Sequence, residues 1–407
     1  MNRYDRRMVK APVWMENFVC IAEKCTESCC QQWNIDVDPV HADCYTHLGD
    51  PELQSIMDSL LHRFHIRRAG MKKSELQYRF FLLDQPDKRC PLLDEAGKCR
   101  LQKKYGAEIL CDTCYFHPRT FWQINEQTGM SACLSCPECA RLALLHEEPT
   151  VFSEFEAEID PNAEWLETSL ISDADTRMLM RHRDLIVHLM CDILQDRRFR
   201  FGQRMIRAKN FLFDLSGAFS FDEKTIRSVF QRAFSAPETE ENCTGSEGLM
   251  DFYLDVFDPV SEACEKPVQG TSAVIRSLAG GTEGFVRLLA DNYEKGRRIM
   301  SDFFADKAYL IENFMIHCVF SDSFKQFHRL QNEPVSVRNL LKHEAALLDC
   351  WYIFLQVLLA QAALERGKMT EKVFLETIVR GDKDFWHYPD WFSRCADNAM
   401  LRDQISD

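Results

Sequence analysis

Cysteine is the residue type in this chain whose number and spacing could do chemistry: of eighteen in 407 residues, twelve lie between Cys20 and Cys139. Apart from Cys44 they fall into three groups: Cys20, Cys25, Cys29 and Cys30; Cys90, Cys99, Cys111 and Cys114; and Cys133, Cys136 and Cys139. Thiolates at such spacings suit a soft metal ion or an iron-sulfur cluster, in which several sulfurs converge within about 2.3 Å of a metal. In a reducing compartment, clustered cysteines are metal ligands or catalytic thiols more often than disulfides. Cys44 and the six later cysteines (Cys191, Cys243, Cys264, Cys318, Cys350, Cys395) stand alone, and are expected in packing or surface positions.

The local patterns sharpen this. Neighbouring Cys29 and Cys30 point in different directions, so they share one metal only from a loop, or serve two centres. Between Cys90 and Cys99, Asp94 to Gly97 supplies turn chemistry that would bring the two thiols together. Ser135 and Pro137 read as the cap and first-turn pair of a helix with Cys136 at its positive end, a position that favours thiolate. Cys139 either joins Cys136 on one helix face or packs as a small apolar group. His117 is a ligand or an ordinary loop donor. Arg119 admits a bidentate hold on a cofactor carboxylate or a structural ion pair, and the ion pair is the commoner role. Asp36, Asp38, Tyr115 and Glu138 read as surface, capping or core residues, and no catalytic base is singled out.

The elements that must position these groups divide the chain. A mainly α protein is expected: a cysteine-rich metal-binding module of short irregular elements over residues 1–145, then an irregular helical domain over 146–407. Within the first part, apolar spacing predicts a helix over 50–66, opened by Asp50-Pro51, and a strand-like run over 78–83. Acidic residues with Pro149 and Pro161 mark 146–165 as a linker or irregular crossover. Helical periodicity then covers 183–197, 204–213, 222–234, 285–293, 308–320, 337–347, 349–366 and 371–380, with loops at 235–248 and around 258–284. The apolar stretch 345–364 is broken by Asp349, Gln356 and Gln361, and predicts a buried helix rather than a membrane span. Residues 11–20 are too short and mixed for a signal peptide, so a soluble, cytoplasmic protein is expected. The net charge of −14 is concentrated beyond residue 150. That argues against nucleic acid as a partner and would suit a lysine-bearing protein, although solubility is the commoner reason for such a surface.

Taken together, Cys20-x4-Cys25-x3-Cys29-Cys30 with Trp33, the Cys90-Pro-Leu-Leu-Asp…Gly-Lys-Cys99 hairpin, Cys114 before His-Pro-Arg119, and Ser135-Cys136-Pro-Glu138 before Ala140-Arg141-Leu142 resemble the flagellin lysine-N-methylase family. The pattern is also similar to a broader group of zinc- or iron-chelating proteins. It is confined to residues 14–145, and the helical remainder offers no motif. The resemblance implies methyl transfer from S-adenosylmethionine to the side-chain amine of flagellin lysines, with an associated [4Fe-4S] cluster. The metal ligands it implies are Cys20, Cys25, Cys29, Cys30, Cys90, Cys99, Cys114 and Cys136, with Cys111, Cys133 and Cys139 beside the pattern. Eight thiols exceed the four that one cubane needs, so some are structural or serve a second centre.

A lysine amine of pKa about 10.4 must be desolvated or deprotonated before it attacks a methyl group. The chain holds neither a Cys-x3-Cys-x2-Cys fingerprint nor a Gly-x-Gly-x-Gly loop after a strand, and its nearest glycine-rich run is 278–284. Zinc is the alternative metal, and a non-catalytic zinc- or iron-chelating binding protein is the alternative function. The oligomeric state is left open.

Overall fold

Asp38 and Asp50 each open a helix by the same device. Asp38 accepts from the His41 N–H ahead of Pro39 in α1 (Pro39–Tyr45), and Asp50 accepts from the Glu52 and Leu53 N–H groups ahead of Pro51 in α2 (Pro51–Leu60). The computed structural model describes residues 4–21, 24–25, 28–31, 33–66, 75–235, 246–263, 282–386 and 391–406. The chain forms two compact units. The first comprises Met1–Trp122, Thr128–Cys139 and Phe152–Ala163; the second comprises Gln123–Gln127, Ala140–Val151 and Glu164–Asp407.

In the first unit, β2 (Ile35–Val37), β4 (Glu75–Phe80) and β3 (Leu61–Ile66) form an antiparallel sheet in that order, with Phe80 opposite both Ile35 and Leu61. The helix expected over 50–66 therefore stops at Leu60. Leu61 and Phe64, three apart, mimic a helical repeat, but β4 pairs with every residue from Leu61 to Ile66, and cross-strand pairing overrides local spacing. The strand-like run likewise ends at Phe80, before a short 3₁₀ turn over Leu82–Asp84. The apolar core here contains Ile35, Val37, Tyr45, Leu53, Met57, Phe80 and Leu92, and it also takes in Cys90 and Cys111.

A second sheet includes β7-β1-β6-β5 in that order, with β1 (Arg6–Pro12) antiparallel to β7 (Phe152–Glu158) and parallel to β6 (Gln127–Ala132). Seven paired positions, Arg6↔Glu158 to Pro12↔Phe152, make a strand of residues expected to be irregular linker. A Cβ on Gly129 of β6 would sit 2.0 Å from the buried Trp122 ring of β5 (Arg119–Ile124), so only glycine lets that indole lie across the strand. Three short helices complete the cysteine-bearing region: α3 (Arg100–Tyr105), α4 (Asp112–Phe116) and α5 (Pro137–Leu144).

The second unit is helical, and the fold is mainly α as the sequence predicts. Among its described residues the helices are α6 (Ala174–Arg181), α7 (Arg183–Leu194), α8 (Phe201–Ser216), α9 (Glu223–Ser235), α10 (Ser246–Ala263), α11 (Thr282–Ala305), α12 (Tyr309–Asp322), α13 (Phe327–Asn332), α14 (Val337–Arg366), α15 (Glu371–Gly381) and α16 (Trp391–Ser406). Two expected helices over 337–366 are one, because no glycine or proline interrupts α14. Residues 258–263, expected in a loop, continue α10. Cys243, Cys264 and residues 278–281 lie outside the described residues.

α14 is long and apolar enough to cross a membrane by length and composition, but half of its most apolar window is buried within the protein. Leu341, Leu348, Trp351, Leu355 and Leu359 recur along it as core residues. Trp351 and Phe354 are buried, and Phe354 meets Phe257 and Trp391 at ring distances of 5.6 and 5.2 Å. A Cβ on Gly296 of α11 would come within 2.0 Å of the Ala360 carbonyl oxygen, so this helix crossing requires glycine.

Candidate metal centre

The first two cysteine groups are joined through the backbone. The Cys90 N–H donates to the Cys30 carbonyl at 2.8 Å, and Gln31 bridges Arg89 antiparallel beside it. Trp33 fixes the turn by donating its Nε1–H to the Cys29 carbonyl at 2.8 Å. The expected turn between Cys90 and Cys99 is present. Asp94 Oδ1 accepts from the Ala96 and Lys98 N–H groups at 3.0 and 2.9 Å, Gly97 adopts φ +76°, and Leu93 bridges Cys99. Cys99 directly precedes α3.

The Cys111–Cys114 turn is clamped from α1 and its approach. Tyr45 donates its hydroxyl to the Ile109 carbonyl at 2.8 Å and accepts from the Cys111 N–H at 2.7 Å. Asp38 Oδ2 accepts from the Asp112 N–H at 3.0 Å, and the Asp36 carbonyl accepts from the Thr113 hydroxyl at 2.8 Å. Asp38, His41 and Asp112 bring their donor atoms within 4.8 Å of one another. His41 Nδ1 lies 2.6 Å from Asp38, and Tyr4 donates to Asp112 at 2.8 Å. These groups largely satisfy one another and hold the turn. The Asp38 role as a cap was legible in Asp38-Pro39; its reach to Asp112, 74 residues away, was not. Asp36 pairs with Arg79 on the surface, and Tyr115 donates to Glu158.

Cys30, Cys99 and Cys114 pack against the apolar core that contains Cys90 and Cys111. The thiols also act on one another. The Cys29 thiol, on an exposed residue, donates to Cys30, an interaction that drives it far up, and Cys30 and Cys136 add to the repulsion. Burial first, then Cys99, Cys111 and Cys29, push Cys90 up to about 12. Burial raises Cys99. Cys114 donates to Cys111, which raises Cys114 and holds Cys111 down. Such crowding disfavours bare thiolates in a low-dielectric site, and a bound cation relieves it while displacing the protons.

The third group sits at the start of α5. Cys136 directly precedes Pro137, so it holds the position expected of Ser135, and its sulfur accepts from the Cys139 thiol and, against burial, from the Cys139 and Glu138 N–H groups, lowering it to about 7. Cys139 is buried and raised by that burial and by its bond to Cys136.

Of the eight implied ligands, Cys29, Cys30, Cys90, Cys99, Cys114 and Cys136 are linked by these interactions, although Cys29 is exposed; Cys20 is exposed and Cys25 partly exposed. Cys111, which sequence pattern left beside the set, lies inside it. Its signal was the Cys-x2-Cys spacing to Cys114. The all-sulfur donor set fits an iron-sulfur cluster or zinc. By contrast Cys191, Cys318, Cys350 and Cys395 are buried in the helical unit, as their apolar surroundings predict.

Residues 188–404 match the family model described as the FliB lysine N-methylase C-terminal domain, more than half of the chain. The chain belongs to that family. The cysteine resemblance, read from residues 14–145, is thus supported from the other part of the sequence. The chain is 29% identical over 146 residues to the lysine-N-methylase of Salmonella choleraesuis, a match covering 36% of this chain and 35% of that protein. The lysine-N-methylase of Salmonella typhimurium gives the same identity and coverage. The flagellar biosynthetic protein FliU of Salmonella muenchen is 29% identical over 131 residues, 32% of this chain and 73% of that protein. The chain therefore spans about a third of the length of the lysine-N-methylases it matches. No solved structure matches it.

Proposed function

We propose that this protein is a cytoplasmic protein-lysine N-methyltransferase that moves a methyl group from S-adenosylmethionine to the side-chain amine of flagellin lysines. We further propose that its cysteines hold a [4Fe-4S] cluster, with ligands drawn from Cys20, Cys25, Cys29, Cys30, Cys90, Cys99, Cys114 and Cys136. The observation that carries this reading is the convergence of buried thiols in one unit of a chain whose other part belongs to a lysine N-methylase family.

The cluster, when bound, supplies a soft redox-capable metal centre. The protein's own residues prepare for it. Cys90, Cys99 and Cys114, held neutral by burial and by each other, release protons to bind metal. The Cys139 thiol first, then the Cys139 and Glu138 N–H groups at the start of α5, stabilise the Cys136 thiolate against burial. Tyr45 and Asp38 fix the Cys111–Cys114 turn so that its two sulfurs stay paired. The acceptor lysine must arrive neutral, which burial of its ammonium favours.

The test is incubation of anaerobically purified protein with S-adenosylmethionine and flagellin, followed by peptide mass spectrometry. Methylated flagellin lysines, absent with Cys90→Ser, are expected. Flagellin left unmodified by metal-loaded protein would overturn the enzymatic reading and leave the non-catalytic zinc- or iron-chelating protein.

A further inference from the structure

Arg119 is the first residue of β5 and is partly buried. The ion pair expected for it is missing: among the described residues, no carboxylate and no hydrogen-bond acceptor pairs with its guanidinium. Its guanidinium meets the ring of the buried Phe18, whose centroid lies 5.3 Å from Cζ. Arg119 is near enough to Cys139 to act on that thiol electrostatically. Two residues earlier, the His117 ring meets the edge of Trp33 at 5.3 Å, and Trp33 is tied to the Cys29 backbone. An unpaired cation, an aromatic platform and the thiol centre thus share one neighbourhood of the first unit.

A guanidinium is a rigid planar fork, and stacking one face on a ring leaves its edge able to accept a carboxylate bidentately. A half-buried arginine without a counter-ion awaits an anion, and S-adenosylmethionine carries an α-carboxylate at its amino-acid end. We infer that Arg119 receives that carboxylate and so anchors the methyl donor beside the thiol centre. The inference rests on the methyltransferase reading. It makes Arg119 a binding residue with no part in proton transfer.

The experiment uses the metal-loaded full chain and calorimetric titration with two probes, S-adenosylmethionine and its decarboxylated form, which lacks only the carboxylate. The wild type is expected to prefer the carboxylate-bearing probe by about 10- to 100-fold, the scale of a charged hydrogen-bonded pair. R119Q should lose that preference while binding decarboxylated S-adenosylmethionine as the wild type does, with metal content and absorption spectrum unchanged. R119K should recover part of it. A preference preserved in R119Q, equal weakening of both probes, or loss of metal with the preference intact would overturn the inference; the last outcome would make Arg119 a counter-charge to the thiolates. Wild-type protein that binds neither probe would instead refute the donor reading, and the inference with it.

Discussion

In the helical unit the buried carboxylate of Glu312 has its partners built in. Glu312, 1% exposed, accepts from Arg204 at 2.5 Å and from Arg197 at 2.8 Å, and Arg204 is itself buried. In the cysteine-bearing unit the thiols have mainly each other: burial first drives Cys90 and Cys99 up, Cys114 is raised first by its bond to Cys111 and then by burial, and neighbouring sulfurs crowd all three. Single buried cysteines of the helical unit, Cys191 and Cys350, are raised by burial, and among the described residues no second thiol contributes. Burial therefore does not by itself set these thiols apart; neighbouring sulfurs do. At Glu312 the helical unit answers a buried charge with its own arginines, whereas the thiols of the other unit raise one another, as the proposed metal centre requires.

If that contrast holds, removing metal should separate the two units more than any single substitution. Anaerobic chelation is expected to abolish slow amide exchange around Cys90–Cys114 and leave α12 and α14 protected, because metal binding free energy is folding free energy on the scale of about 10 kcal/mol. Equal loss in both regions, measured by hydrogen exchange, would break the contrast. Glu312→Ala should act the opposite way, destabilising the helical unit by about 3 kcal/mol, since it strands the buried Arg204 guanidinium, while metal content stays unchanged. Denaturant titration with metal analysis reads both effects. Gly296→Ala should cost the same unit about 1–3 kcal/mol, because α11 must retreat from the Ala360 carbonyl.

The smallest effect is expected at Asp38. Burial pulls its carboxyl upward, but the His41 side chain and the Asp112 and His41 N–H groups outweigh it and hold the pKa well below the usual carboxylate range. A depressed folded pKa means that the contribution is complete above the unfolded value of about 4 and is lost as pH falls through the lower folded value. Asp38→Asn should cost about 1 kcal/mol at neutral pH and flatten the acid limb of the stability curve. An unchanged acid limb would remove the clamp on the Cys111–Cys114 turn.

Alkylation of metal-depleted protein at pH 7 sharpens the comparison at single-residue level. Cys136, lowered to about 7, should label ahead of Cys139, with Cys191 and Cys350 protected.

What the sequence made legible was local. Asp50-Pro51 opening a helix, the Asp94–Gly97 turn, the start of α5 and most of the helices of the second unit were readable, because cap, turn and periodicity signals lie within a few residues of what they control. The strand at Leu61–Ile66 was misread because its apolar spacing fits a helix and its deciding partner is β4. The strand at Phe152–Glu158 was missed because its partner, β1, is about 140 residues away in sequence. The candidate site divides along the same line. Cysteine spacing marked most of the converging thiols, but Cys111 joins them through contacts from Tyr45 and Asp36, and the missing counter-ion of Arg119 exists only in three dimensions.

The central claim, that the buried thiols hold an iron-sulfur cluster, is tested most directly by metal and acid-labile sulfide analysis of anaerobically purified protein, with its absorption spectrum recorded before and after S-adenosylmethionine. Iron with sulfide, and a spectrum that responds to the donor, is the predicted result. Zinc without sulfide would contradict the claim and make the thiol centre structural.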